Sequence, residues 1–234
     1  MIMYRTKAPT PKSKLPPQEK HVRPAPPEDL PVILKLTLIP GLKSVVLDEI
    51  AKYKELKTTE INEDKIYLDF VSDFKNIKTL RSITNAYIVK RGAKFNPYFI
   101  SNHKSILGDL IDIVLEKPKF KTFKLRCAGS DSKEVREIQS YITNTYKLNE
   151  SEDADMEIYI SKPSELWEIS IRLTTRPLTL RDYRVANIKG GMNPTIAYAL
   201  NTFCNLNSAE SYLNVFSGSG TLLIEAGISN PNLK

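Results

Sequence analysis

Asn214-Val215-Phe216-Ser217-Gly218-Ser219-Gly220-Thr221-Leu222-Leu223-Ile224-Glu225-Ala226 joins an apolar run, a pair of glycines and a second apolar run. Tyr212 to Phe216 is expected as a strand and Ser217 to Gly220 as a turn. Thr221 to Ala226 is expected as a helix, with Gly227 as its C-terminal stop. A strand, a glycine-rich turn and a helix form the front of a nucleotide-binding α/β unit. Gly218 and Gly220 carry no Cβ, so the backbone can bend sharply and a ligand can lie against it. The helix that follows directs N–H groups without intrahelical partners, and a partial positive charge, at that place. A carboxylate or a phosphate would suit it. A tight strand-to-helix turn with no ligand would need the same residues. Leu223 stands where the dinucleotide fingerprint has its third glycine, which disfavours a dehydrogenase.

Upstream, Ile196 to Phe203 reads as an apolar helix with Pro194 in its first turn. Ile158 with Ile160, and Ile169 with Ile171 and Leu173, give two strands. Val135, Ile138, Ile142 and Tyr146 carry a helix, opened by the capping box Asp131-x-x-Glu134. Phe123, Leu125 and Cys127 alternate with Lys124 and Arg126, a strand apolar on one side and basic on the other. A helical stripe from Ile106 to Leu115 ends before Pro118. Earlier still, Leu34, Leu36 and Leu38 alternate as a strand, and Leu42 to Tyr53 has helical spacing. Ile66 to Phe70 is a strand, Phe74 to Leu80 a helix and Ala86 to Lys90 a strand. Strand–helix–strand–helix–strand suggests a small α+β unit of ferredoxin-like type.

The sequence has 234 residues, 41% of them hydrophobic and 26% charged, which are ordinary globular values. Its apolar runs are far shorter than the roughly 20 residues of a membrane span. Two cysteines (Cys127, Cys204) and two histidines (His21, His103) make neither a disulfide framework nor a four-ligand zinc site. A reducing, cytoplasmic setting is expected. Pro9, Pro11, Pro16, Pro17, Pro24, Pro26 and Pro27 sit among Lys7, Lys12, Lys14, Lys20 and Arg23. Residues 1–30 therefore read as a disordered, solvated basic tail. The net charge of +7 points weakly to a polyanionic partner. Basic residues cluster in 117–136 (Lys117, Lys119, Lys121, Lys124, Arg126, Lys133, Arg136), and acidic ones in 150–168. Arg172, Arg176, Arg181, Arg184 and Lys189 form a further basic run. A solvated strand face without a partner would look the same.

The stretch Asn214 to Ala226 resembles motif I of S-adenosylmethionine-dependent RNA methyltransferases that carry a THUMP domain. There it usually reads Asp-Pro-Phe/Met-Cys-Gly-Ser-Gly-Thr. Arg181-Asp182-Tyr183-Arg184 through Gly190-Gly191-Met192-Asn193-Pro194-Thr195-Ile196-Ala197 is similar to that family's lead into the first methyltransferase helix. Pro40-Gly41-Leu42 with Asp48-Glu49-Ile50 resembles the start of its N-terminal ferredoxin-like domain, and Phe123 to Tyr146 resembles the THUMP strand and helix. The resemblance implies a ferredoxin-like unit at 31–95, a THUMP RNA-binding domain at 96–178, and at 179–234 the first elements of a Rossmann-like methyltransferase sheet. The fold class is thus α+β followed by α/β.

The same resemblance implies S-adenosylmethionine as cofactor, held by Asn214, Phe216, Ser217, Gly218, Ser219, Gly220 and Thr221. It also implies structured RNA (tRNA or rRNA) as partner, met by Lys121, Lys124, Arg126, Lys133, Arg136, Arg181 and Arg184. Asn214, Val215 and Ser217 replace the usual aspartate, proline and cysteine, and the lost carboxylate was a strong acceptor. Glu225 matches the family pattern as either an exposed or a functional residue. The family's catalytic tetrapeptide, Asn/Asp-Pro-Pro-Phe/Tyr, does not follow Gly220. Asn96-Pro97-Tyr98-Phe99 reads as a turn and Asn230-Pro231-Asn232-Leu233 as a loop. The expectation is an RNA-binding protein of the guanine-N2 methyltransferase family without catalytic or metal residues of its own. It is either completed by a second polypeptide, as in a split methyltransferase, or is a non-catalytic RNA-binding module or degenerate remnant. A plain protein-interaction domain is the third class.

Overall fold

The computed structural model describes residues 30–92, 96–98, 103–116, 120–128, 132–163, 165–185 and 189–234. The proline- and lysine-rich stretch 1–29 and residue Asp131 lie outside them. The first described strand, β1 (Ile33–Thr37), turns Leu34 and Leu36 into the core and Lys35 to the other side, as a period of two requires. Helix α1 (Lys43–Ile50) lays Val46 and Ile50 on the same core. Strands β2 (Thr58–Ile61) and β3 (Lys65–Asp69), helix α2 (Lys75–Thr79) and strand β4 (Asn85–Gly92) follow. Strand β2 has no counterpart in the periodicity: Thr58, Thr59 and Ile61 are exposed at the sheet edge, where no buried face imposes an apolar alternation.

Next come a π-helical turn (His103–Gly108) and helix α3 (Asp109–Leu115). Strand β5 (Thr122–Arg126), helix α4 (Lys133–Tyr146) and strands β6 (Asn149–Glu150), β7 (Met156–Ser161) and β8 (Trp167–Arg172) complete the sheet. The cap of α4 is Ser132, whose Oγ accepts from the Val135 N–H at 3.3 Å; the expected box one residue earlier is not the cap. Helix α5 (Pro194–Phe203) starts as expected, with Asn193 accepting from the Thr195 N–H at 2.8 Å and Pro194 at its first position. Helix α6 (Thr221–Ser229) ends the described structure.

The eight strands of the described residues belong to one sheet in the order β2-β3-β1-β4-β8-β7-β5-β6. Strands β2, β3, β1 and β4 are antiparallel neighbours. The seam to the rest is the antiparallel pair β4–β8, from Tyr87 opposite Arg172 to Gly92 opposite Trp167. Strand β7 runs antiparallel to β8 and parallel to β5. One face carries Leu34, Leu36, Ile66, Ile88, Ile171, Ile158 and Phe123, all buried in a single apolar cluster with α1 to α4. Helix α3 covers the seam, and its Asp109 takes an ion pair from Lys90 of β4 at 2.5 Å. The other face is polar, with Lys35, Tyr67, Tyr87, Glu168, Arg172, Glu157 and Tyr159. Among the described residues, no helix is long and apolar enough to cross a membrane.

Phe123 has no exposed surface and anchors β5 beneath α4. Phe123→Ala should lower the unfolding free energy by about 3–5 kcal/mol, read as a shift of the urea midpoint.

Candidate functional site

Two left-handed glycines shape the bend ahead of α6: Gly218 has φ +52° and Gly220, the residue capping the helix, has φ +71°. A side chain at either position would be strained by the backbone alone. The Gly220 N–H donates to the Ser217 carbonyl at 2.7 Å, and Ile224 N–H to the Gly220 carbonyl at 2.9 Å. Ser219 Oγ and Thr221 Oγ1 lie 2.8 Å apart. The bend faces solvent: Ser217 and Gly218 are exposed, and a Cβ placed on Gly218 would meet nothing within 4 Å. The first N–H groups of α6, on Thr221 and Leu222, have no intrahelical carbonyl at the helix end that follows the bend. Ser217, Gly218, Ser219, Gly220 and Thr221 are thus brought together; Asn214 is half-buried, and Phe216 is 93% exposed.

Residues 212–216 are not a strand. A strand needs a neighbour for its N–H and C=O groups. Among the described residues none of the eight strands adjoins this segment. Its backbone bonds instead run to the last residue, Tyr212 N–H to the Lys234 carbonyl at 3.0 Å and Lys234 N–H to the Glu210 carbonyl at 3.3 Å. Gly227 is not a stop either: α6 runs on to Ser229. Its Leu223 and Ile228, with Ile196, Leu200 and Phe203 of α5, leave apolar surface exposed.

The most enclosed charge near the bend is Glu225, which has no exposed surface. Oε2 accepts from Arg81 Nε at 2.7 Å, and Arg81 Nη2 is 2.6 Å away. Oε1 accepts from Arg181 Nε at 3.1 Å and from the Tyr183 hydroxyl at 2.7 Å. Burial first, then the bond to Glu225 and its charge, push the Tyr183 phenol well above its usual range. The Arg181 side chain is only 8% exposed, and it also donates to the Leu178 and Arg81 carbonyls. Its guanidinium therefore serves this joint rather than the surface expected of it. A sequence signal existed: Glu225 falls four residues after Thr221, on the buried side of α6.

A second buried carboxylate, Glu49 of α1, accepts from the N–H groups of Arg81 at 2.9 Å and Ser82 at 2.8 Å. It therefore orders the loop that presents Arg81. Beside it Val45 packs on Tyr198 and Ala199 of α5. Helices α5 and α6 are thus docked on α1 and on the loop before β4.

The basic strand is largely neutralised. Strand β5 lies parallel to β7, which puts Lys124 opposite Glu157. Lys124 is paired with Glu152, and Arg126 with Glu157 at 2.9 Å. Glu157 also takes Arg172 at 2.8 Å and the Tyr159 hydroxyl at 2.5 Å. The basic and acidic runs, separate along the chain, meet across two strands. Lys121, Lys133 and Arg136 remain exposed, Lys133 at 3.7 Å from Glu137, and Arg184 is half-buried. The aromatic side chains of Tyr141, Tyr146 and Trp167 pack within the fold: Tyr141 against Tyr146, and Trp167 edge-on to Tyr98. Asn96 takes the Tyr98 N–H at 3.0 Å, a turn as expected. Among the described residues no group of His, Cys, Asp and Glu could hold a metal ion.

Residues 181–234 match the family model of an RMKL-like methyltransferase domain. No curated protein matches the chain. Among solved structures it is similar to TrmN from Thermus thermophilus, with 20% identity and a TM-score of 0.62 over 86% of this chain and 63% of that one. It is also similar to a predicted N6-adenine-specific DNA methylase from Listeria monocytogenes, with 20% identity and a TM-score of 0.56 over 86% of this chain and 55% of that one. The methyltransferase-like protein SMU.472, solved with SAH, gives 18% identity and a TM-score of 0.54 over 85% of this chain and 56% of its own length. The likeness is one of fold, a mixed α/β sheet of the kind these proteins share, and the chain spans less than two thirds of each.

Glu225→Gln leaves two enclosed guanidinium groups without their counter-charge and should cost about 3 kcal/mol in urea unfolding. Tyr183→Phe, which removes one bond to that carboxylate, should cost about 1–1.5 kcal/mol.

Burial raises the Glu157 carboxyl, but the bonds from Tyr159 and Arg126 and the charge of Arg172 outweigh it and hold the group below its ordinary 4.5. A carboxyl depressed in the folded state contributes stability above its unfolded pKa and loses it as pH falls through the folded value. Glu157→Gln should therefore flatten the loss of stability below pH 4.5, measured as urea midpoints at successive pH values.

Proposed function

We propose that this chain is the RNA-binding and cofactor-loop portion of an S-adenosylmethionine-dependent RNA methyltransferase. The observation that carries the reading is the bend from Ser217 to Gly220, with two left-handed glycines at the amino end of a nine-residue helix, open to solvent. It lies within the residues that match a methyltransferase domain. The strand order β2-β3-β1-β4 around α1 and α2 supports a ferredoxin-like unit at 31–95. The helix–strand–helix–strand–strand–strand run from α3 to β8 supports a THUMP domain at 96–178. Residues 179–234 are then the opening elements of a Rossmann-like methyltransferase sheet.

The residues of the bend fit the amino-acid end of S-adenosylmethionine. Gly218 presents open backbone, the α6 amides of Thr221 and Leu222 suit its carboxylate, and Ser219 and Asn214 add polar partners. When bound, the cofactor supplies an electrophilic methyl group on a positively charged sulfur. The chain's own part is to hold that end and to fix its direction: Glu225, Arg81 and Arg181 lock α6 against the sheet. The acceptor is the exocyclic N2 of a guanine in tRNA or rRNA. The residues that hold it belong to a polypeptide segment carrying Asn/Asp-Pro-Pro-Phe/Tyr, seated on the exposed apolar side chains of α5 and α6. An α/β sheet of this kind requires both faces to be covered.

Titration of SAH into the chain, followed by calorimetry, should give saturable binding, weakened about tenfold in Gly218→Val, where a β-branched residue would have to adopt positive φ. Absence of binding at millimolar SAH would remove the cofactor reading and leave a non-catalytic module. Mixing the chain with a fragment that carries the tetrapeptide should restore methyl transfer to tRNA or rRNA.

A further inference from the structure

Strands β4 and β8 are antiparallel neighbours in the middle of the sheet, so the start of β4 and the end of β8 lie side by side at the same end of the strands. A groove of about 570 Å³ opens there, between the last turn of α2, the segment after β8 and the carboxyl end of α6. Its charged lining is Lys78, Arg81, Arg176 and Arg181 against Asp182 alone. Arg81 and Arg181 also line it, two cations set against the one charge of Glu225, so a net positive charge lies beneath the groove. Lys78 stands exposed on one wall. On the other, Arg176 pairs with Asp182, but the two side chains are 57% and 91% exposed, and so open a pair is weak and readily exchanged for another anion. Leu180 and Ile228, both half-exposed in the same groove, offer apolar surface between these charges.

We propose that this groove takes the phosphodiester backbone of an RNA strand, with Lys78 and Arg176 as its phosphate contacts. The volume suits a group of nucleotide size. The mixture of flexible cations and apolar patches suits phosphates alternating with sugars and bases. The position is apt as well. The groove meets α6 at Ile228, and the glycine bend ends at Gly220 at the other end of the same helix, about 12 Å away at 1.5 Å per residue. A strand in the groove thus runs within one helix length of the bend. Strand β5, whose Lys124 and Arg126 are paired with Glu152 and Glu157, is a weaker candidate for the same task.

The inference rests on the RNA reading above, and the experiment separates the two. Full-length chain is titrated with unfractionated tRNA by fluorescence anisotropy at several salt concentrations. Lys78→Glu/Arg176→Glu should weaken binding about tenfold or more and reduce the slope of log affinity against log salt by about two. Lys124→Gln/Arg126→Gln should leave both nearly unchanged. Both groove positions are exposed, and thermal melts verify that the fold is kept; should the reversal variant melt early, Lys78→Gln/Arg176→Gln is read for the same change of slope. Salt-sensitive binding by the parent that the groove variants do not alter would overturn the groove and spare the RNA reading. No salt-sensitive binding by the parent would overturn both. Displacement of tRNA by polyglutamate at equal charge would assign the groove to acidic peptide and overturn the proposal.

Discussion

A carboxylate with no exposed surface is tolerated only where charge and hydrogen bonds replace the water it has lost. Glu225 meets that condition through Arg81, Arg181 and Tyr183, which come from the loop before β4 and from the segment after β8. These two segments converge on α6 through its one buried charge, and the bond from Asn201 of α5 to the Leu222 carbonyl at 2.9 Å holds the same helix from its other side. The orientation of the glycine bend and the groove beside Ile228 follow from the placement of α6, while α5 docks on α1 through Val45, Tyr198 and Ala199. Glu49 works one step behind, since its carboxylate holds the Arg81 and Ser82 amides and so sets the loop from which Arg81 reaches out. Two buried acids on two helices thus register the carboxyl-terminal segment against the sheet.

The sheet is the other half of that arrangement. Because β4 pairs with β8, the first four strands and the rest share one apolar core, and α3 covers the seam. A continuous sheet is stiff across the join, so residues at its edge keep their spacing. The same pairing of strands cancels charge. Lys124, Arg126 and Arg172 face Glu152 and Glu157 across β5, β7 and β8, and the net positive charge of the chain is left to other surfaces.

Much of this was legible along the chain. Leu34 and Leu36 foretell the inward face of β1, and Val135, Ile138 and Ile142 foretell the buried stripe of α4. Asn193-Pro194 marks the start of α5, and Gly218 and Gly220 mark the bend where positive φ is needed. Each depends on residues within one turn or one pleat, where local sterics and capping decide. Other expectations failed for lack of that locality. Strand β2 is an edge with no buried face to pattern it, and Tyr212 to Phe216 has strand-like residues but no described strand to pair with.

Periodicity, caps and glycines are properties of near neighbours, so the amino-acid order alone settled most of the helices, the strands with a buried face and the place where the chain turns sharply before α6. Whether Lys124 is free or neutralised, and whether Glu225 meets water or two arginines, depends on groups far away in the chain: Lys124 and its acid are 28 positions apart, Arg81 and Glu225 144. Burial and Coulomb interaction act through space, and only the assembled sheet, with its helices docked, brings those groups within reach.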